Sequence, residues 1–273
     1  MTGGDVRLAG ALVSLLVVAA VALTVVGVRV RRQVITAAIR AAVQLAVIGL
    51  VLRTVFTFPA AAGTVLLVML GTASWTAARR LRGLPGAGRA VLTASLTGAL
   101  PTLAVVFGTG AVVLSARYVV ALGGIVLGGT MTACSLAGRN LLGGLRARRD
   151  EVEGWLALGA TPRQAVVSIV RTSVGEALLP AIDQTRTVGL VTLPGAFVGA
   201  LFGGASPLAA ARFQLVVLVG LLAAETLAAV ALTWLLGAPT QLPEAPGDPP
   251  QARDRGSTRR DRREDRHTGR ISG

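Results

Sequence analysis

Phe213–Leu236 reads FQLVVLVGLLAAETLAAVALTWLL, a run of 24 residues in which Glu225 is the single ionisable side chain. A bilayer core needs about 20 consecutive apolar residues in helical form, so this run is long enough to cross one. Working outward, the same pattern recurs at Leu8–Val28, Val34–Phe56, Ala60–Ala78, Ala90–Leu114, Tyr118–Ala137 and Pro180–Phe202, giving about seven candidate spans. Composition agrees: 53% of the 273 residues are hydrophobic and 15% are charged, against about 45–50% and about 25% in soluble chains. The expected fold is an all-α, polytopic integral-membrane helix bundle, with residues 1–237 as the membrane domain. A soluble enzyme is excluded. The first run holds a small-residue triplet, Ala20-Val21-Ala22, but continues past it for longer than a signal-peptide core does, so it reads as an uncleaved anchor.

What the chain lacks narrows its chemistry. All 27 basic side chains are arginine, so a nucleotide-binding loop has no lysine to reach the β- and γ-phosphates. Schiff-base chemistry goes with it. One cysteine, Cys134, and one histidine, His267 near the C-terminus, supply neither a Cys/His zinc site nor a buried nucleophile–base pair. No cofactor is expected on this chain, and no catalysis.

Arginine placement orients the spans, because basic residues in short loops mark the cytoplasmic side. Alternate connections hold Arg29, Arg31 and Arg32; Arg79, Arg80, Arg82 and Arg89; and Arg139, Arg146, Arg148, Arg149, Arg163 and Arg171. The intervening segments hold one each: Arg7, Arg53, Arg117 and Arg212. With an odd number of spans, the N-terminus is expected outside and the C-terminus inside a plasma or inner membrane. The net charge of +14 is therefore mostly juxtamembrane, and nucleic-acid binding is not expected. Residues 238–273 begin proline-rich, and their eight arginines face six acids with almost nothing apolar to bury, which reads as a disordered cytoplasmic tail.

Between the fifth and sixth runs, residues about 138–179 differ from every other connection. Opposite charges at helical spacing, Arg146/Asp150 and Arg149/Glu153, support a helix weakly. Trp155, Leu156 and Leu158 follow, and then Gly159, a suitable residue just past a helix end. Thr161, Pro162 and Gln164 supply an N-cap, a first-turn proline and the third-position partner of a capping box. The pattern predicts helix, tight turn at Gly159-Ala160, helix, with Ala157, Leu158, Gly159 and Ala160 at an exposed corner. Taken alone, such a segment is either an amphipathic surface helix under the bundle or a docking corner for another protein.

Glu151 through Ala160, with Leu178-Leu179-Pro180 about twenty residues on, resembles the coupling loop of ABC permeases. Three stretches resemble more specifically the FetB-type iron-export permeases, a family that also includes plant aluminium-tolerance permeases: Gly128–Ala137 (GGTMTACSLA), Arg148–Gln164 (RRDEVEGWLALGATPRQ) and Pro180–Gly195 (PAIDQTRTVGLVTLPG). Arg40–Leu45 (RAAVQL) matches as well. The resemblance implies a permease subunit that works as a homodimer with a separate cytoplasmic ABC ATPase, which binds the ATP, and that exports iron or another metal ion. It assigns contact with the ATPase to Glu151, Trp155, Ala157, Leu158, Gly159, Ala160, Thr161 and Pro162. Two rivals stand beside this reading: an ABC permease for an organic substrate such as a nucleotide sugar, and a membrane scaffold whose cytoplasmic helices bind a signalling partner.

Ionisable groups inside spans are expensive and are functional candidates by default. Glu225 lies near the centre of the last run and is either a pathway residue or a protonated acid bonded to a neighbour such as Thr226. Arg40 and Gln44 share one face of the second span, where inter-helix bonding and substrate contact are both open. Asp183 and Arg186 fall in the expected first turns after Pro180, where an acid favours a helix N-terminus and the spacing allows a local ion pair. Met131 is a further pathway candidate, although with Cys134 one turn away core packing accounts for both. Pro194-Gly195 is expected to kink or break the sixth span and to act as a hinge, and Pro101 to bend the fourth.

Overall fold

The computed structural model describes residues 3–28, 30–58 and 60–238. The expected tail lies outside them from residue 239 onward. The described chain is helical, with ten helices: α1 (Gly3–Val25), α2 (Arg31–Thr57), α3 (Ala61–Arg80), α4 (Ala87–Gly108), α5 (Ala116–Ala147), α6 (Arg149–Ala157), α7 (Pro162–Ala165), α8 (Val167–Thr187), α9 (Gly195–Phe202) and α10 (Pro207–Leu236). Six of them, α1 to α5 and α10, are long and apolar enough to cross a membrane. This is a multi-pass membrane helix bundle.

The sixth expected span does not form as one helix. Within Pro180–Phe202, the chain stays helical only to Thr187, breaks over residues 188–194, and resumes as the eight-residue α9. The cause is local. Gly189 adopts φ +82°, a left-handed conformation with little cost for glycine, and the N–H groups of Leu190, Val191 and Thr192 all converge on the Thr187 carbonyl. Pro194 then caps α9 in an extended conformation. Upstream, α8 carries Arg171, Glu176, Asp183 and Arg186, too many charges for a lipid-facing span. Pro180 lies inside α8 and does not start it, just as Pro101 lies inside an unbroken α4.

The chain divides into two compact units. One comprises α1, α2, the first turns of α3 through Leu66, and Leu114–Val120. Its small core is Ala62 and Val120, with Val51, Leu52, Val65 and Ala116 around them. Within the chain, none of the apolar window of α1 or α2 is buried.

The other unit holds the remainder and one continuous core. Ala77 and Leu81 of α3, Val91 and Ala94 of α4, Ala133, Ala137, Leu141 and Leu145 of α5, and Ala228, Ala229 and Leu232 of α10 are fully or almost fully buried in it. Small side chains let the axes approach: a Cβ at Gly98 of α4 would collide with the Ala224 carbonyl oxygen and lie 3.1 Å from the Ala228 Cβ. Helix α8 runs back along α10. Near its start, Val170 packs beside Gly237 at the end of α10; beyond its end, Val188 and Gly189 lie beside Ala211 and Gln214, near the start of α10. Helix α8 thus lies antiparallel to α10, and the 188–194 turn and α9 pack near the start of α10.

Candidate functional site

The short helices α6 and α7 form the predicted hairpin. Helix α5 runs through to Ala147, so Arg146 and Asp150 fall on separate helices, while Arg149 bonds Glu153 at 2.8 Å and Arg148 lies 3.6 Å from Glu151. Helix α6 closes in a Schellman motif: the Ala160 N–H donates to the Trp155 carbonyl, the Gly159 N–H donates to the Leu156 carbonyl, and Gly159 takes φ +87°. The next helix opens with a complete capping box. The Gln164 N–H donates to Thr161 Oγ1, and the Thr161 N–H donates to Gln164 Oε1, with Pro162 in the first turn.

The two sides of this hairpin have opposite fates. Val152 (1% exposed), Ala165 (3%) and Val166 (1%) are part of the core they share with α4, α5 and α10. Trp155 and Leu158 point away, at 51% and 82% exposed. Glu151, Trp155, Leu158, Gly159 and Ala160 line one open cleft of 540 Å³, while Ala157, Thr161 and Pro162 are exposed beside it. Two further contacts fix the hairpin to the bundle: Arg163 stacks on the Trp234 ring at 4.2 Å from its centroid, near the end of α10, and Arg148 donates to Ser168 Oγ at 3.3 Å.

The polar residues of the spans do not gather into one cluster. Glu225, half-buried, lies over Gly129 of α5, where an added Cβ would be 2.7 Å from Glu225 Oε1 and 2.6 Å from a methyl of Leu221. The Thr226 hydroxyl donates to the Leu222 carbonyl at 2.6 Å. Asp183 is not at a helix N-terminus; it belongs to the last turns of α8, where Arg186 is the favourable charge for the dipole. The two side chains are 3.9 Å apart and mostly exposed, a pair worth about 0–1 kcal/mol. Met131 is half-buried and packs against the edge of the core, and Cys134 is fully buried. Arg40 and Gln44 are exposed on α2, in the other unit. Pro194 and Gly195 sit where the break ends and α9 begins. Among the described residues, no group of three or more His, Cys, Asp or Glu side chains could hold a metal ion.

Sequence reasoning passed over Gln214. It is 5% exposed, lines a cavity against the 188–194 turn, and its Oε1 has no hydrogen-bond partner among the described residues. Spacing carries a signal for it: eleven residues make close to three helical turns, so Gln214 and Glu225 share one stripe of α10.

A family model described as "Uncharacterised protein family (UPF0014)" matches residues 6–239. The UPF0014 membrane protein STAR2 of Oryza sativa subsp. japonica is 38% identical over 62% of this chain and 59% of its own length. Protein ALUMINUM SENSITIVE 3 of Arabidopsis thaliana is 34% identical over 62% of each chain. The Probable iron export permease protein FetB of Escherichia coli (strain K12) is 33% identical over 64% of this chain and 68% of its own. The chain thus spans about three-fifths of the two plant relatives. No solved structure matches it.

Proposed function

We propose a transport role on one premise: the chain belongs to the UPF0014 family of membrane proteins. It is the membrane subunit of an ABC-type transporter, works as a homodimer with two copies of a separate cytoplasmic ATPase, and exports iron or another metal ion. The name of the FetB relative supports the cargo and the direction. The arginine distribution supports placing the α6–α7 hairpin and the C-terminus in the cytoplasm.

The observation that carries the reading is the two-sidedness of the hairpin. Its corner offers Trp155, Leu158, Gly159 and Ala160 to a partner, while Val152, Ala165 and Val166 on its inner side are packed into the core. Packed interiors are nearly incompressible, so a push on the corner is handed to the elements behind it. Ile169 at the start of α8 presses on α5, where a Cβ at Gly144 would be 2.5 Å from its methyl, and Arg163 bears on Trp234 of α10. Between them, α8 and α10 frame the 188–194 break. Rocking α8 against α10 opens and closes the space beside Gln214 and Glu225, which is alternating access in outline.

Co-expression with a candidate ABC ATPase subunit from the same genome tests the assembly. Recovery of a stable complex in mild detergent, with ATPase activity stimulated by Fe(II), is the expected result. Stimulation confined to nucleotide sugars overturns the metal cargo, and recovery of the permease without any ATPase overturns the transporter.

A further inference from the structure

Two arginines from different helices meet at one buried serine. Arg80, the last residue of α3, donates from Nη1 to Ser135 Oγ of α5 at 3.3 Å, and Arg139 donates from Nε to the Ser135 carbonyl, also at 3.3 Å. The helices are in close contact there: a Cβ added at Gly138 of α5 would be 2.5 Å from a methyl of Leu81. Arg80 and Arg139 are exposed, and neither forms an ion pair among the described residues. Each guanidinium keeps further N–H donors in a planar fork that matches a phosphate. Two like charges held at one residue repel, and an anion bound between them removes that cost. The topology rule asks for positive charge in this connection, but not for such a convergence.

Depth selects the anion. The apolar run of α3 ends at Ala78 and that of α5 at Ala137, so Arg80 and Arg139 stand where both helices pass from lipid to water. Trp75, 57% exposed, marks the same level, with the Arg79 guanidinium 4.6 Å from its ring centroid. Val68, also exposed, shares that face of α3 seven residues earlier, so an apolar lane runs from the bilayer to the charged pair. We propose that Arg80 and Arg139 form a binding site for the phosphate of an anionic phospholipid of the cytoplasmic leaflet, with its acyl chains along the Val68–Trp75 face of α3. Basic pockets between spans on the cytoplasmic side take such head groups. The bound phosphodiester ties α3 to α5. The proposal rests on the transport reading above only for the side of the membrane, and its test is independent of cargo and ATPase.

The test is native mass spectrometry and thermal unfolding of the full-length permease in detergent, titrated with phosphatidylglycerol, phosphatidylcholine or inorganic phosphate. The parent is expected to retain phosphatidylglycerol in preference to phosphatidylcholine and to melt higher with it, while inorganic phosphate neither raises the melting nor displaces the lipid. Arg80→Gln with Arg139→Gln lowers the phosphatidylglycerol affinity about thirtyfold, taking each arginine at its usual contribution near an anionic lipid surface. Arg82→Gln with Arg89→Gln removes the same charge from the neighbouring α3–α4 connection and lowers the affinity by less than about threefold. Arg80→Lys with Arg139→Lys keeps the charge but loses the fork, lowers the affinity about tenfold, and serves if the first pair fails to fold. An equal fall in the two glutamine pairs, or an affinity unchanged in the Arg80/Arg139 variants, overturns the site. Displacement of phosphatidylglycerol by inorganic phosphate assigns the arginines to a free phosphate and overturns the lipid.

Discussion

Glu225 owes its place to a missing side chain. At Gly129 the surface of α5 is bare backbone, and the carboxylate and Leu221 fill the space that a Cβ would take. Gly129→Ala is therefore expected to separate two properties. Alanine is favoured over glycine in a helix by about 1 kcal/mol, and the groups in its way are ends of flexible side chains, so the protein stays folded. The displaced carboxylate then lowers transport, read as higher metal retention in cells at equal expression. Glu225→Gln keeps the shape and removes the acid, and the same assay should show retention rising at least as far. Gly98 is a different case, because the obstacle there is the Ala224 carbonyl on the backbone of α10. Gly98→Ala forces α4 and α10 apart and should cost about 1–3 kcal/mol, as overpacking does, visible as a lower thermal midpoint in detergent.

At the scale of elements, the α6–α7 hairpin was legible in the sequence because its signals are short-range. Gly159, Thr161, Pro162 and Gln164 each specify a backbone state within one turn, and the Schellman motif and capping box follow from them. Leu158→Glu alters only the exposed corner. It should abolish recovery of the ATPase with the permease and leave the melting of the permease unchanged. Gly159→Ala has room for its Cβ but not the right φ, at about 1–2 kcal/mol for a left-handed residue; ATP-driven efflux should fall without loss of membrane insertion. In the sixth span a kink or break is expected at Pro194-Gly195, and the structure places the break over residues 188–194, an extent that escaped the sequence for the opposite reason. Hydropathy sums over Pro180–Phe202 register its apolar content, but the break depends on which N–H groups reach the Thr187 carbonyl, and a window average does not carry that. The same window hid where Asp183 lies, since placing a helix start at Pro180 turned the end of α8 into a beginning. Gln214 was passed over because one amide near the start of a long apolar run reads as a boundary residue until the turn that faces it is known.

For the whole molecule, the distinction between six long apolar helices and the charged α8 with the short α9 behind its break has a consequence for biogenesis. Spans α1 to α5 and α10 are apolar enough to partition into lipid as they leave the ribosome. Helix α8, with four charges in 21 residues, is not. In the folded chain it lies against α10, which is expected to bring it into the membrane. A nascent chain halted before Pro207 should therefore leave residues 167–202 on the cytosolic side, accessible to a membrane-impermeant label at a cysteine placed at Leu190, and synthesis through Leu236 should withdraw that site from the label. The arrival of α10 is thus the moment at which the stretch before it gains a packing partner, and quality control at the membrane has a defined step to monitor.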